Sequence, residues 1–186
     1  MITGGTGLVG KALSRALLGR GYHVIVLSRN PELQKEGVSG LEYARWDIAK
    51  QEIDTDAVAK ADHIIHLAGA GVADKRWTKK GKKEIVDSRV QSSRLLVKSL
   101  TTIPNRVKTL ISSSAIGWYG PDPVIPNPSP FKETDPPYHD FLGTTCKLWE
   151  DGVDEVAQSG IRVVKLRTGI VLSREGGALK EFIKPL

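Results

Sequence analysis

The strongest signal in the sequence is the stretch Thr3-Gly4-Gly5-Thr6-Gly7-Leu8-Val9-Gly10. Its glycines fit the GxGxxG spacing when counted from Gly5, and the GxxGxxG spacing when counted from Gly4. A glycine without a Cβ permits a tight turn out of a strand, lets an anion approach the backbone amides, and lets a helix pack closely on a sheet. The motif therefore predicts a strand–turn–helix unit whose helix N-terminus can receive a pyrophosphate.

The rest of the chain alternates β-rich runs with helical periodicity. Met1 and Ile2 form a short strand before the turn, and apolar residues over 8–20 recur with helical spacing. Further strands are predicted at 22–27, 41–46, 61–68, 107–112 and 161–166, and further helices at 83–100 and 142–156. This order is typical of βαβ units. It predicts an α/β protein with a doubly wound parallel sheet, a Rossmann fold, forming one nucleotide-binding domain over residues 1–186.

Composition excludes several classes of protein. With 186 residues, 40% hydrophobic and 26% charged, the chain can bury a core and is not disordered throughout. No stretch approaches the roughly 18 apolar residues of a membrane span, and the first residues lack the features of a signal peptide. One cysteine excludes an internal disulfide framework. We therefore expect a cytoplasmic protein without a membrane partner.

The net charge of +6 is concentrated in a basic run at residues 74–83. Such a run can bind phosphate or nucleic acid, but it can equally be the solvated start of a helix. Neither RNA-reading aromatic spacing nor a helix-turn-helix pattern accompanies it. We interpret it as a solvated helix start and expect no nucleic-acid partner.

The end of the second predicted strand bears on the choice of dinucleotide. Proteins that bind NAD(H) usually carry an acidic residue about 20 positions after the glycines, where it bonds the ribose hydroxyls. Here Ser28, Arg29 and Asn30 occupy that place, and no acid follows before Glu32. A guanidinium is a planar, bidentate partner for a phosphate, whereas a carboxylate would repel it. Ser28 and Arg29 thus favour NADP(H); the alternative for Arg29 is a solvent-facing side chain.

With these features the sequence resembles the extended short-chain dehydrogenase/reductases, and more narrowly an uncharacterised NAD(P)-dependent epimerase/dehydratase-like subfamily. The broad resemblance rests on the glycine turn, on Ser-Arg after the second strand, and on three later motifs: Trp46-Asp47, His66-Leu67-Ala68-Gly69 and Ser112-Ser113-Ser114. The narrower one rests on Arg76-Trp77-Thr78, Ser88-Arg89, Ser114-Ala115-Ile116-Gly117-Trp118-Tyr119-Gly120, Trp149-Glu150 and Arg167-Thr168-Gly169-Ile170-Val171-Leu172.

The resemblance implies a set of cofactor-binding residues. Gly4, Gly7 and Gly10 would line the pyrophosphate, Arg29 would hold the 2′-phosphate, and Asp47 would accept a hydrogen bond from the adenine amino group. Leu67, Ala68 and Gly69 would flank the ribose on the nicotinamide side. The full implied set is Thr3, Gly4, Gly5, Thr6, Gly7, Leu8, Val9, Gly10, Ser28, Arg29, Asp47, Leu67, Ala68, Gly69 and Ser112.

The sequence departs from the family at the catalytic helix. Hydride-transferring relatives carry Tyr-x-x-x-Lys, in which the lysine lowers the pKa of the phenol so that it acts as a general acid and base. Lys147 is present, but Gly143 stands where the tyrosine would be. Lys147 is then either a ligand of the cofactor ribose or a surface lysine. Ser114 matches the serine that orients the substrate oxygen, and Tyr119 and Tyr138 are the candidate proton donors.

Two functions follow as expectations. The first is an NADP(H)-dependent oxidoreductase or epimerase acting on a small substrate with a hydroxyl or carbonyl group, a nucleotide sugar being one candidate. The second is an NADPH-binding sensor or scaffold without turnover, which Gly143 favours. The resemblance also implies a C-terminal substrate subdomain that lies mostly outside the 186 residues, and a homodimer through the helices at 83–100 and 140–156. His63, His66 and Cys146 are interpreted as structural, and no metal site is predicted.

Overall fold

A seven-stranded sheet forms the centre of the fold in the computed structural model, which describes residues 1–33, 37–72 and 76–183. In chain order its strands are β1 (Ile2–Thr3), β2 (Val24–Ser28), β3 (Leu41–Asp47), β4 (Glu52–Ile53), β5 (His63–His66), β6 (Thr109–Ala115) and β7 (Arg162–Thr168). The helices are α1 (Leu8–Leu18), α2 (Thr55–Lys60), α3 (Lys79–Thr102), α4 (Phe141–Asp154) and α5 (Leu179–Phe182). A small hairpin, β8 (Leu172–Ser173) and β9 (Gly176–Gly177), follows β7.

The strand order across the sheet is β4-β3-β2-β1-β5-β6-β7. All neighbouring strands run parallel except β4, which pairs antiparallel with β3 at one edge. The chain order reverses between β1 and β5, and such a switch point leaves a crevice outside the carboxyl ends of the strands. The predicted doubly wound Rossmann sheet is confirmed, and the topology places a ligand crevice beside the glycine turn.

Both faces of the sheet are covered by apolar side chains. On one face, Ile64 and Leu110 of the sheet pack with Leu96 of α3 and Val153 of α4, all of them fully buried. On the other face, the β1 and β2 residues Ile2, Val24 and Val26 pack against leucines of α1. Because β2 is buried on both sides, it reads as a continuous apolar run rather than an alternating one. The carboxyl ends of these strands are held rigidly by the two layers.

The structure adds elements that the sequence pattern did not predict. β4 and α2 have two and six residues, too few for periodicity to show. The Asp54 carboxylate caps α2 by accepting from the Ala57 N–H at 2.9 Å, a signal that was readable in principle. The basic run at 74–83 is described only from residue 76, where it leads into α3; residues 74 and 75 lie outside the described residues.

The proline-rich stretch at 117–137 contains no strand and no α-helix. After a short 3₁₀ turn at Ile116–Trp118, it folds back on itself through Trp118, whose Nε1 donates to the Asp135 carbonyl at 2.8 Å. The Trp118 carbonyl accepts from the Tyr138 N–H at 2.7 Å. The loop is therefore fastened next to the carboxyl end of β6. Separately, none of the helices at 1–33, 37–72 and 76–183 is long and apolar enough to cross a membrane.

Candidate functional site

The glycine turn between β1 and α1 is packed too tightly for side chains. Gly4 has a φ of 68°, and a Cβ placed on it would lie 2.8 Å from the carbonyl carbon of Leu67. A Cβ on Gly10 would lie 2.4 Å from the Gly4 carbonyl oxygen and 2.5 Å from the Gly5 Cα. These contacts bring β1, α1 and the end of β5 into backbone contact. At the N-terminus of α1, Gly7 provides no side-chain cap and the first turn carries no acid, so an anion would meet unobstructed N–H groups.

A cleft of about 650 Å³ lies beside this turn, at the carboxyl ends of β1, β2 and β5. Eight of the residues that the sequence nominated line it: Gly4, Thr6, Gly7, Ser28, Arg29, Leu67, Ala68 and Gly69. The other nominated residues of this stretch, Thr3, Gly5, Leu8, Val9 and Gly10, do not line the cleft. The size is within the range of small-molecule and cofactor sites. The structure thus brings the predicted phosphate, 2′-phosphate and ribose positions to one concave surface.

At the β2 end of the cleft, the Ser28 side chain fixes a backbone turn. Ser28 is buried, and its Oγ accepts from the Asn30 N–H at 3.2 Å. This turn leaves Arg29 exposed at the cleft wall. Asp47 does not line the cleft; its Oδ1 caps a turn by accepting from two N–H groups at 3.0 Å, while its neighbours Trp46 and Ile48 form the wall.

A buried chain of hydrogen bonds, centred on Thr3 and His66, lies beneath the turn. Thr3 Oγ1 accepts from the Leu67 and Ala68 N–H groups at 3.2 Å, so its own hydrogen points to His66 Nδ1, 2.7 Å away. His66 therefore carries its hydrogen on Nε2, 3.3 Å from Ser92 Oγ. Burial, with a smaller contribution from a nearby guanidinium, lowers the pKa of His66 to about 3. The expected structural role of His66 is consistent with this placement: a neutral ring that joins β1, β5 and α3.

This histidine makes stability depend on pH. An unfolded histidine has a pKa of about 6.5. Below that pH, His66 binds a proton in the unfolded chain but stays neutral in the folded chain. Full stability is present above about pH 6.5 and is lost as the pH falls toward the folded pKa of about 3. We expect His66 to lower the free energy of unfolding by ~2 kcal/mol between pH 7 and pH 5. Urea denaturation of wild type and His66→Gln at both pH values measures this, with the exposed His23→Gln as control. An equal pH dependence in wild type and His66→Gln would contradict it.

Ser114 belongs to a second polar network, at the carboxyl end of β6. Its Oγ donates to Glu150 Oε1 at 2.6 Å, and this carboxylate is only 3% exposed. Arg167 donates to the same carboxylate through Nε at 2.9 Å and Nη2 at 3.1 Å. Its Nη1 donates to Tyr119 Oη at 3.0 Å. The hydrogen bonds to Glu150 raise the pKa of Arg167 above its usual value. The Ser114–Glu150–Arg167–Tyr119 network is thus a charge-balanced unit that joins β6, α4 and β7.

Ser114 and Tyr119 do not line the cleft. Tyr119 lies on a separate cavity of about 470 Å³, whose wall is made by Tyr119, Glu133, Glu150, Lys165, Leu166 and Arg167. Sequence reasoning nominated Ser114 and Tyr119 but gave no role to Glu150 or Arg167, although both stood in the quoted motifs. Ser112, the last nominated cofactor residue, is buried and its Oγ donates to the neighbouring Ser113 carbonyl.

The glycine at the catalytic-helix position has a steric explanation. A Cβ on Gly143 would lie 2.1 Å from the Tyr138 carbonyl oxygen, so the loop backbone occupies the space of any side chain there. The Tyr138 ring packs on Gly120 and is 47% exposed. Lys147 forms an exposed ion pair with Asp151 at 2.6 Å and does not line the cleft. Of the two alternatives for Lys147, this placement is that of a surface lysine.

Sequence reasoning missed the α3 wall of the cleft. Gly81, Glu84, Ile85 and Ser88 follow the i, i+3, i+4, i+7 spacing of one helix face, and all four line the cleft. That spacing was readable, but polar and small residues on a helix give no sign of a wall. Cys146 is buried on α4 with its Sγ toward the Ala115 carbonyl, and burial raises the pKa of the thiol. Across the described ranges, no group of three His, Cys, Asp or Glu residues could hold a metal ion.

Comparison with known proteins decides the family. The sequence model of the NAD dependent epimerase/dehydratase family matches residues 1–174. The chain belongs to this family. An epimerase family protein of Staphylococcus aureus is 34% identical over 185 residues, which are 100% of this chain and 59% of that protein. An epimerase family protein of Mycobacterium bovis is 34% identical over 187 residues, 100% of this chain and 57% of that protein.

Solved structures give the same result for the fold. The crystal structure of a human epimerase family protein with NADPH superposes with a TM-score of 0.73 at 27% identity, covering 98% of this chain and 57% of that one. A nucleoside-diphosphate sugar epimerase from Corynebacterium glutamicum superposes with a TM-score of 0.76 at 33% identity, covering 97% and 36%. The family predicted from the motifs is confirmed. The chain spans less than three fifths of the length of these relatives.

Proposed function

We propose that the cleft binds NADP(H), and that the chain contributes the cofactor domain of an NADP(H)-dependent oxidoreductase or epimerase. One observation carries the choice of cofactor: the β2 end of the cleft is lined by Leu27, Ser28, Arg29 and Asn30, with Arg29 exposed and no carboxylate among them. A 2′-phosphate there would meet a guanidinium. The human relative solved with NADPH supports the same assignment.

In this assignment the chain's own groups bind the ligand in three places. The N–H groups at the start of α1 and the glycine turn receive the pyrophosphate. Trp46 and Ile48 line the wall at the adenine end, and Leu67, Ala68 and Gly69 line it at the nicotinamide ribose. Bound NADP(H) would supply hydride chemistry to a hydroxyl or carbonyl carbon. The substrate class that we propose is a small hydroxyl or carbonyl compound, with a nucleotide sugar as one candidate.

Arg29→Met tests the cofactor. Because the guanidinium would pair only with the 2′-phosphate, we expect NADPH to bind about 10- to 100-fold more weakly and NADH to change by less than about twofold. Isothermal titration calorimetry on both dinucleotides measures this, and Arg20→Met, which removes an exposed cation at the far end of α1, is the control. Equal losses for the two ligands would count against the assignment, as would wild-type protein that binds neither.

We further propose that Tyr119 supplies the substrate proton, with Ser114 orienting the substrate oxygen. The support is geometric: Arg167 Nη1 donates to the Tyr119 hydroxyl at 3.0 Å and so fixes it in the same network as Ser114. Tyr138, the other candidate, is half-exposed with its ring on the loop surface. In assays of NADPH oxidation with a panel of carbonyl compounds, Tyr119→Phe should lower turnover at least about 100-fold, and Tyr138→Phe by less than about threefold. Unchanged turnover in Tyr119→Phe would remove it from the mechanism.

A sensor or scaffold without turnover is the second candidate function. The filled space at Gly143 and the surface ion pair of Lys147 favour it, because α4 then offers the cleft neither the tyrosine nor the lysine of the usual acid–base pair. Tight NADPH binding with no oxidation across the same panel of carbonyl compounds supports this candidate. Steady oxidation with any of them excludes it.

A further inference from the structure

Helix α3 holds the peptide of Ala70 from both sides. The Ala70 N–H donates to Ser88 Oγ at 3.0 Å, and Arg89 Nη1 donates to the Ala70 carbonyl at 3.0 Å. The same Nη1 also donates to the Ile85 carbonyl, one turn earlier, at 2.9 Å. Ala70 belongs to the cleft loop, residues 67–71, all of which line the cleft. Arg89 itself does not line it, so Arg89 fixes the loop from behind, whereas its neighbour Ser88 holds the loop from the cleft wall.

Arg89 is a buried cation. The residue is only 8% exposed, and its guanidinium Cζ lies 4.7 Å from the centre of the Trp149 ring on α4. A Cβ on Gly69 would lie 3.2 Å from the same Cζ, so the guanidinium fills the space behind the cleft loop. Among the residues at 1–33, 37–72 and 76–183, no carboxylate forms an ion pair with Arg89. Burial lowers the pKa of this arginine.

A buried charge is costly unless neighbouring dipoles or an opposite charge compensate it. Here two carbonyls and an aromatic face provide part of that compensation. An anionic ligand in front of the cleft loop would provide more, because the electrostatic attraction acts through only the thickness of one peptide chain. The arrangement therefore links the position of the loop backbone to the charge of whatever occupies the cleft.

We infer that Arg89 is a positioning residue for the nicotinamide half of the dinucleotide, acting through the Ala70 peptide. The inference rests on the proposed function. Arg89 and Ser88 hold the cleft loop in the backbone conformation that meets the ribose and phosphate of that half. Arg29, where the 2′-phosphate of the adenosine half would lie, is on the β2 side of the cleft and is not among the hydrogen-bond partners of Ser88 or Arg89. Arg89 thus affects one end of the ligand selectively.

The experiment compares two ligands on the same variants by calorimetry. NADPH occupies the whole cleft, whereas adenosine 2′,5′-bisphosphate lacks the nicotinamide half. Arg89→Met is expected to weaken NADPH about tenfold or more and to change the bisphosphate by less than about twofold. Arg89→Lys, which keeps the charge but loses the planar guanidinium beside the Trp149 ring, should recover part of the loss. Arg94→Met removes an exposed cation from the same helix and should leave both ligands unchanged.

The outcomes distinguish a failure of the proposed cofactor binding from a failure of the role inferred for Arg89. If wild-type protein binds neither ligand, the proposed function fails. If wild type binds both and Arg89→Met binds NADPH as tightly as wild type, the inference alone is overturned. Equal weakening of both ligands in Arg89→Met also overturns it, because that is the result of general destabilisation. Should Arg89→Met not fold, Arg89→Lys gives the same comparison: weaker NADPH with an unchanged bisphosphate supports the inference, and equal changes oppose it.

Discussion

Gly10→Ala is expected to abolish dinucleotide binding and to destabilise the fold by about 1–3 kcal/mol. The added methyl carbon would lie 2.4 Å from the Gly4 carbonyl oxygen and 2.5 Å from the Gly5 Cα, and both contacts are to backbone. No rotamer change relieves such contacts, so α1 must move away from the turn. That movement withdraws the helix N–H groups from the phosphate position. Calorimetry with NADPH and urea denaturation of the free protein measure the two effects.

Gly19→Ala is the matched control for this prediction. Gly19 caps the C-terminus of the same helix with a φ of −63°, and a Cβ there would make only ordinary contacts, the nearest at 3.4 Å. We expect wild-type NADPH binding and a change in stability within about 0.5 kcal/mol. If Gly10→Ala bound NADPH within about threefold of wild type, the close packing of α1 on the turn would not be what shapes the phosphate site.

Glu150→Gln is expected to cost about 3 kcal/mol of stability, because it removes the charge that a largely buried guanidinium is paired with. Arg167 donates two hydrogen bonds to the Glu150 carboxylate and its own side chain is only 15% exposed. Removing one partner leaves the other charge uncompensated, and the Ser114 hydroxyl loses its charged acceptor. Urea denaturation near neutral pH measures the cost, and NADPH turnover follows the effect on Ser114.

Asp151→Asn, the next residue along α4, is the control for Glu150→Gln. It breaks the ion pair with Lys147, whose two side chains are each about half exposed, so the expected cost is below about 1 kcal/mol. The comparison isolates burial, since both changes remove one carboxylate charge from the same helix. Similar costs for the two variants would show that the Ser114–Glu150–Arg167–Tyr119 network is no more important than a surface ion pair.

Local pattern was enough to predict six of the seven strands of the sheet and eight of the residues that line the cleft. The glycine turn requires residues without a Cβ, and buried parallel strands require continuous apolar runs, so both constraints are written in consecutive residues such as Gly4–Gly10 and β2. Arg29 was found for a similar reason, because its distance from the turn is set by one helix and one strand. The chemistry of such a site is local, and the chain order of a βαβ unit assembles it.

The second network and the α3 wall were not predictable in this way. Glu150 lies 36 residues from Ser114 and 17 from Arg167, and nothing in their spacing shows that their side chains converge. Gly143 illustrates the same limit: the sequence shows that the tyrosine is missing, but only packing shows that the Tyr138 carbonyl occupies its place. Contacts between distant segments depend on how helices settle on the sheet, and periodicity carries no information about which side chains then meet. The glycine turn could therefore be predicted from consecutive residues, whereas the side chains that meet behind and beside it are decided by how the helices pack on the sheet.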